Sequence, residues 1–188
     1  MKKRQKGEYD YPAYQTRFVI ARTACYFALA IAIFIMGYVS TGTRENLLTV
    51  VSVLGLLPAS KSLVSVIMYL RMPKFGKAVY DRLSAAAEGM SALYSMYLTS
   101  YKKNFPVSCF CVAGGNIIGY TEFKECDTAA CEEHIRGLLK QNGFKNITVK
   151  IFGANEQRNF EDRLTQLRRF DEQGRESEIL ELLCNISL

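Results

Sequence analysis

Two apolar runs dominate the hydropathy pattern of this chain. Residues 23–39 (TACYFALAIAIFIMGYV) carry no charged side chain, and residues 47–70 (LLTVVSVLGLLPASKSLVSVIMYL) carry one, Lys61. A polar loop of six or seven residues separates them. A helix needs about 20 predominantly apolar residues to cross a bilayer, and each run meets that length with little or no extension. The pattern predicts a two-helix transmembrane hairpin over 17–72. A polar juxtamembrane arm over 1–16, in which Pro12 stops any helix, precedes it, and a soluble domain over 73–188 follows.

Beyond the second run the period changes several times. Val79, Leu83, Met90, Leu93, Tyr97 and Tyr101, with Ala86 completing the stripe, recur at spacings of three and four. That predicts one helix over 76–102 with a nearly heptad seam, packed on its own sheet or on a second copy. Pro106 then opens VSCFCVA, and IIGYTEF follows Gly114-Gly115-Asn116; two β-rich runs about such a turn read as a hairpin. Residues 128–142 (TAACEEHIRGLLKQN) read as a helix with Asp127 or Thr128 at its N-cap and Gly143 at its stop. Residues 147–152 (ITVKIF) alternate as a strand, with Ile147, Val149 and Ile151 on one face. An amphipathic helix is predicted over 155–171 from Phe160, Leu164, Leu167 and Phe170. A short apolar helix follows Gly174, carrying Ile179, Leu180, Leu182 and Leu183. The predicted fold is an α+β membrane protein: a hairpin of spans, then a small α/β domain ordered helix, β-hairpin, helix, strand, helix, helix around a sheet of about three strands.

Charge assigns an orientation to that scheme. The formal net charge is +6 at pH 7, divided as +8 over 1–77 and −2 over 78–188. Lys2, Lys3, Arg4, Lys6, Arg17 and Arg22 precede the first run, and Arg71, Lys74 and Lys77 follow the second, while the loop has only Arg44 beside Glu45. Positive flanks stay on the cytoplasmic side, so the expectation is a multi-pass protein of a bacterial inner (plasma) membrane with both termini cytoplasmic. The basic flanks account for the pI of about 9.0 and add attraction to anionic headgroups. Nucleic acid is not an expected partner, because the soluble part is slightly acidic. A second run follows the first at once, without a small-x-small cleavage pattern before Gly42, so a retained anchor is expected over a cleaved signal peptide. Within the second run Pro58 removes a helix hydrogen bond and predicts a kink. Lys61 either reaches for headgroups or faces other spans, as an oligomer contact or part of a polar pathway.

Chemistry-bearing residues are sparse. Five of six cysteines lie outside the spans, on a reducing side where disulfides are not expected. Cys109 and Cys111 share a strand face, and Cys126, Cys131 and His134 gather near the following helix, a thiolate and imidazole set suited to zinc. Their C-x-C and C-x4-C spacings differ from a C-x2-C knuckle, and buried core cysteine explains them equally. Gly114-Gly115 lacks the patterns of a phosphate loop, a single histidine excludes a multi-histidine relay, and no cofactor is expected.

Glu122-Phe-Lys124 ends the second hairpin strand, before a helix and another strand. This order, over about 77–153, resembles the PD-(D/E)xK nuclease family. The resemblance implies a divalent metal and water positioned by Glu122 and Lys124. The chain departs from the pattern where the preceding strand lacks an aspartate; Asn116 is the nearest polar residue and belongs to the turn, so a metal would miss a main ligand. The expected function is a membrane-anchored binding or scaffold protein that presents its α/β domain at the inner membrane face. Its partners would be the lipid bilayer and a second copy or another membrane protein, met through helix 155–171 and the C-terminal helix. The alternatives are a membrane-tethered metal-dependent nuclease or hydrolase at Glu122 and Lys124, and a small oligomeric channel or transporter subunit built on Pro58 and Lys61.

Overall fold

A computed structural model describes residues 4–101, 103–168 and 174–188. They form two compact units: Pro12–Met72, and residues 4–11 joined with Pro73–Leu188.

The first unit is a helical hairpin of α1 (Tyr11–Thr41) and α2 (Leu47–Arg71), both long and apolar enough to cross a membrane. Pro12 does not end the helix; it lies in the first turn, where its missing N–H has no intrahelical role. Asn46 starts α2, accepting from the Thr49 amide at 2.9 Å and donating to Thr41 Oγ1 and the Thr43 carbonyl. The buried seam is small and polar: Val19, Thr23, Ala30 and Gly37 on α1, Ser52, Ala59, Ser62 and Val66 on α2. Thr23 commits its proton to the Val19 carbonyl at 2.8 Å, so Ser62 donates to Thr23 across the seam at 2.7 Å. Ser52 donates to the Ala30 carbonyl at 2.8 Å. Small residues and buried hydroxyls are how helices adhere where water supplies no drive. α2 runs on through Pro58.

The second unit differs from the expected order at its start. In place of one helix over 76–102 there is α3 (Lys77–Ala86), a turn at Gly89 (φ +79°), and a strand, β1 (Ser91–Thr99). Tyr101, the last residue of the predicted seam, is fully exposed. β2 (Asn104–Ala113) and β3 (Asn116–Tyr120) form the expected hairpin about Gly114 and Gly115, both at positive φ as a two-residue loop of this twist requires. α4 (Thr128–Gln141) crosses to β4 (Thr148–Phe152), and α5 (Gln157–Leu167) and α6 (Glu176–Ile186) complete the unit. Phe170 lies outside the described residues.

The sheet therefore has four strands, ordered β1-β2-β3-β4, antiparallel except for the parallel β3–β4 pair. α4 and α6 cover one face, with Ile135, Leu139, Ile179 and Leu183 over Phe110, Ile117 and Ile151. α3 and α5 cover the other, with Leu83, Phe160, Leu164 and Leu167 over Cys109, Cys111 and Ile118.

The helical spacing of β1 has a structural cause. Leu93 faces α4 and α6 while Ala92 and Tyr94 face the other layer, yet after Ser95 it is Met96 and Leu98 that face α4 and α6. β2 changes phase at the same point: Phe105 and Val107 face α4 and α6, and beyond Ser108 so do Phe110 and Val112. The register holds across the change, Tyr94 opposite Cys109 and Met96 opposite Val107. Ser95 adopts φ +53° to make the switch. Two strands that skip a beat together lose their period of two in sequence while keeping their ladder in space.

Both sheet edges are covered by the chain's own polar groups. Along β4, Glu132 of α4 accepts from the Ile151 amide at 3.0 Å, and Arg136 donates to Glu132 at 2.9 Å and to the Val149 carbonyl at 2.8 Å; Lys150 approaches Glu132 at 3.2 Å. Along β1, the Tyr94 amide donates to the Gly7 carbonyl at 2.7 Å and the Leu188 amide to the Tyr97 carbonyl at 3.0 Å. Such coverage blocks edge-to-edge pairing with other chains. Gly7 is required where it lies, at φ +91° with a Cβ position occupied by Leu93. Asp127 caps α4 through the Ala130 amide, and a hydrogen bond from Lys103, then that amide, hold its carboxyl below the usual range. The contribution of this cap is complete above the ordinary aspartate range and is lost as pH falls through the lowered value.

Glu132→Ala removes the acceptor from a buried amide and leaves Arg136 and Lys150 without their shared carboxylate. The expected loss is about 2–3 kcal/mol of stability, with faster hydrogen exchange at the Ile151 amide; unchanged exchange there would contradict the clamp.

Candidate functional site

The ends of β2, β3 and α3 meet around Glu122. Past Tyr120 the chain keeps one more parallel bond, from the Thr121 amide to the Phe152 carbonyl at 2.9 Å, and then turns. Thr121, fully buried, donates to the Pro106 carbonyl at 2.7 Å and accepts from the Phe123 amide at 3.2 Å. Ser108, buried at the phase change of β2, accepts from the Glu122 amide at 3.2 Å. These bonds aim the Glu122 carboxylate at the start of α3, where Oε1 accepts from the Gly76 amide at 2.9 Å. A carboxylate there answers an unpaired helix amide and the positive end of the helix dipole.

Residues 4–11, read from sequence as part of a free arm, form one wall of this region. Tyr9 stacks on Tyr80 at 4.4 Å between ring centroids and meets Phe75 edge-on at 5.6 Å; its hydroxyl donates to the Phe75 carbonyl at 3.0 Å. Tyr80 meets Tyr94 edge-on at 5.0 Å. Burial raises the Tyr9 phenol, and Asp10, Asp81 and Glu122 add to the rise. Tyr94 is raised further, by burial and then by the Cys109 and Cys111 thiols beside it. A cleft of about 570 Å³ opens here, lined by Arg4, Glu8, Tyr9, Lys77, Tyr80 and Tyr94 among others. Arg4 is already paired with Glu8 at 3.5 Å and Asp10 at 3.3 Å. A second cleft, of about 660 Å³, lies between α3 and the start of α5, lined by Arg82, Arg158, Asn155 and Asn159 with Glu156 and Glu161.

The sequence candidates fall as follows. Glu122 and Lys124 lie past the end of β3, with Lys124 exposed in a turn, so strand alternation does not place them on one face. Glu122 is occupied by Gly76. Among the described residues no three His, Cys, Asp or Glu side chains converge as a metal site would need. Cys109 and Cys111 are buried on the α3/α5 face, sulfur to sulfur at 3.7 Å. Cys126 and Cys131 are buried on the α4/α6 face, so the sheet stands between the two pairs. His134 lies against Phe105, ring centroids 5.8 Å apart. A hydrogen bond that Cys109 donates to Cys111, then burial, raises the Cys109 thiol; burial raises Cys131 and, against a smaller lowering by the neighbouring Thr121, also Cys126. Thiols held protonated are poor ligands and poor nucleophiles.

Sequence reasoning missed Tyr9, Lys6 and Glu132. Only Glu132 left a signal, the i,i+4 spacing to Arg136; Tyr9 and Lys6 act on residues far along the chain. Compared with known protein families, curated proteins and solved structures, the chain matches none.

Two outcomes are expected. Glu122→Gln keeps an acceptor for Gly76 and leaves the melting temperature nearly unchanged, whereas Glu122→Ala loses about 1 kcal/mol, and magnesium or manganese shifts neither. Cys109, Cys111 and Cys131 resist alkylation at pH 8 in the folded protein and react after denaturation, as read by mass spectrometry; labelling in the folded state would count against their burial.

Proposed function

We propose that the chain is a two-span membrane anchor that holds an α/β binding domain at the cytoplasmic face of an inner (plasma) membrane, where the domain engages a partner protein. One observation carries the reading: the segment before the hairpin and the segment after it belong to the same folded unit. Tyr9 packs on Phe75 and Tyr80, and Gly7 completes the edge of β1. A chain that leaves a folded unit, makes an antiparallel helical hairpin and returns to that unit has both ends on one side of any bilayer it crosses. The basic flanks of both spans assign that side to the cytoplasm.

Binding is favoured over hydrolysis because Glu122 caps α3 and, among the described residues, no three His, Cys, Asp or Glu side chains converge as a metal site would need. The expected partner surfaces divide. α6 turns Ile179 and Leu183 into its own core, and the contact is proposed elsewhere. α5 buries Phe160, Leu164 and Leu167 and leaves Arg158 and Asp162 exposed, beside the cleft that Arg82 and Arg158 line. That charged face is the proposed contact. Self-association loses the seam it was inferred from, since 91–99 is a strand.

The topology is tested with the full chain by an impermeant maleimide on intact cells and on inverted vesicles. A cysteine at Thr43→Cys in the loop is expected to label from outside, and cysteine tags at both termini only from inside. Termini labelled on opposite sides would overturn the anchor. A photo-crosslinking residue at Arg158 is expected to capture one discrete protein, and the same residue at Lys140 on α4 to capture none.

A further inference from the structure

Lys61 lies on the side of α2 turned away from α1. At 3.6 residues per turn it falls nearly opposite the seam of Ser52, Ala59, Ser62 and Val66, and it is exposed, with no hydrogen bond or ion pair to its side chain among the described residues. If the two helices span a membrane, as the proposed function has it, this ammonium faces lipid. The 25 residues of α2 measure about 37 Å against about 30 Å of hydrocarbon. With α2 centred in that layer, Lys61 lies about 3 Å from the midplane at helical rise, about 12 Å from the boundary on the C-terminal side and about 18 Å from the other.

A lysine side chain spans about 6 Å, which is short of both. Its direction makes the nearer boundary harder to reach still, because the Cα–Cβ bond of every helical residue tilts toward the helix N-terminus. For α2 that is the far side. Snorkelling, which serves lysines near helix ends, does not serve this one. Pro58 lies one turn away on the same face and cannot donate to the Leu54 carbonyl, so the face carries a second polar group at depth.

An intramembrane cation that reaches no water needs an anion, and this chain has none to offer. Between Pro12 and Met72 the one acidic residue is Glu45, in the loop outside the spans. A second copy would bring Lys61 against Lys61. We propose that the outward face of α2, centred on Lys61, docks a transmembrane helix of another protein that carries an aspartate or glutamate near mid-bilayer. The hairpin is then a recognition element as well as an anchor.

The test uses the full-length protein, labelled at its C-terminus, in phosphatidylcholine vesicles with a labelled oligoleucine transmembrane peptide. One peptide has a single central aspartate, the other leucine in its place. Energy transfer is expected to favour the aspartate peptide by about tenfold in association, to fall to the leucine level with Lys61→Leu, and to persist with Lys61→Arg. Equal transfer to the two peptides, or selectivity that survives Lys61→Leu, in protein that resists an alkaline wash, overturns the docking proposal while leaving the anchor in place. Lys61-dependent transfer between two labelled copies without peptide also overturns it, since the occupant would be a second copy. Release of the protein by the alkaline wash overturns the anchor itself, and the docking proposal with it.

Discussion

The docking of residues 4–11 onto the α/β unit is the constraint on which the other features depend. The Tyr94–Gly7 backbone bond closes one edge of the sheet. Lys6 donates to the Cys184 and Ser187 carbonyls at 3.2 and 2.9 Å, at the C-terminal end of α6, where a cation meets the negative end of the helix dipole. Tyr9 fills the aromatic cluster beside α3. A few residues before the first apolar helix thus touch β1, α3 and α6. They can do so across an insertion as long as 12–72 because that insertion is a hairpin that returns the chain close to where it left, which keeps the entropy of closure small.

The paired phase change at Ser95 and Ser108 is the second device of the unit, and it bears directly on chemistry. By turning Ser108 into the interior it supplies the acceptor for the Glu122 amide, and with Thr121 it aims the carboxylate at Gly76. The polar groups at this end of the sheet therefore satisfy each other and the N-cap amide of α3 at Gly76. That arrangement stabilises a fold, whereas a hydrolytic centre needs carboxylates left open toward a metal. Glu132 works in the same way at the opposite edge, spending its two oxygens on Ile151, Arg136 and Lys150. Half-buried Glu122 and buried Glu132 both serve the backbone.

The hairpin follows a matching economy. Its seam uses Thr23, Ser52 and Ser62 for short hydroxyl bonds between helices, so its own polar groups are answered internally. Lys61 and the Leu54 carbonyl that Pro58 leaves without a donor are not answered in this way, and the isolation of Lys61 on the outer face follows from the same seam, which takes Ser62 and leaves its neighbour outside. The docking face proposed on α2 and the contact proposed on α5 belong to separate units.

By itself the sequence determined what depends on composition and on local period. The two apolar helices, the Gly114-Gly115 hairpin, α4 with its cap at Asp127 or Thr128, β4 and the α5 stripe of Phe160, Leu164 and Leu167 were all legible, because each declares itself within a dozen neighbouring residues. Tertiary structure decided the rest. It made a strand of 91–99, whose apolar residues mimic helical spacing only because two strands change phase together. It split the cysteines between two faces of a sheet, gave Glu122 to a helix terminus, and folded residues 4–11 onto β1. Each of these joins residues far apart in sequence, and no local period records which distant backbone group a side chain will satisfy.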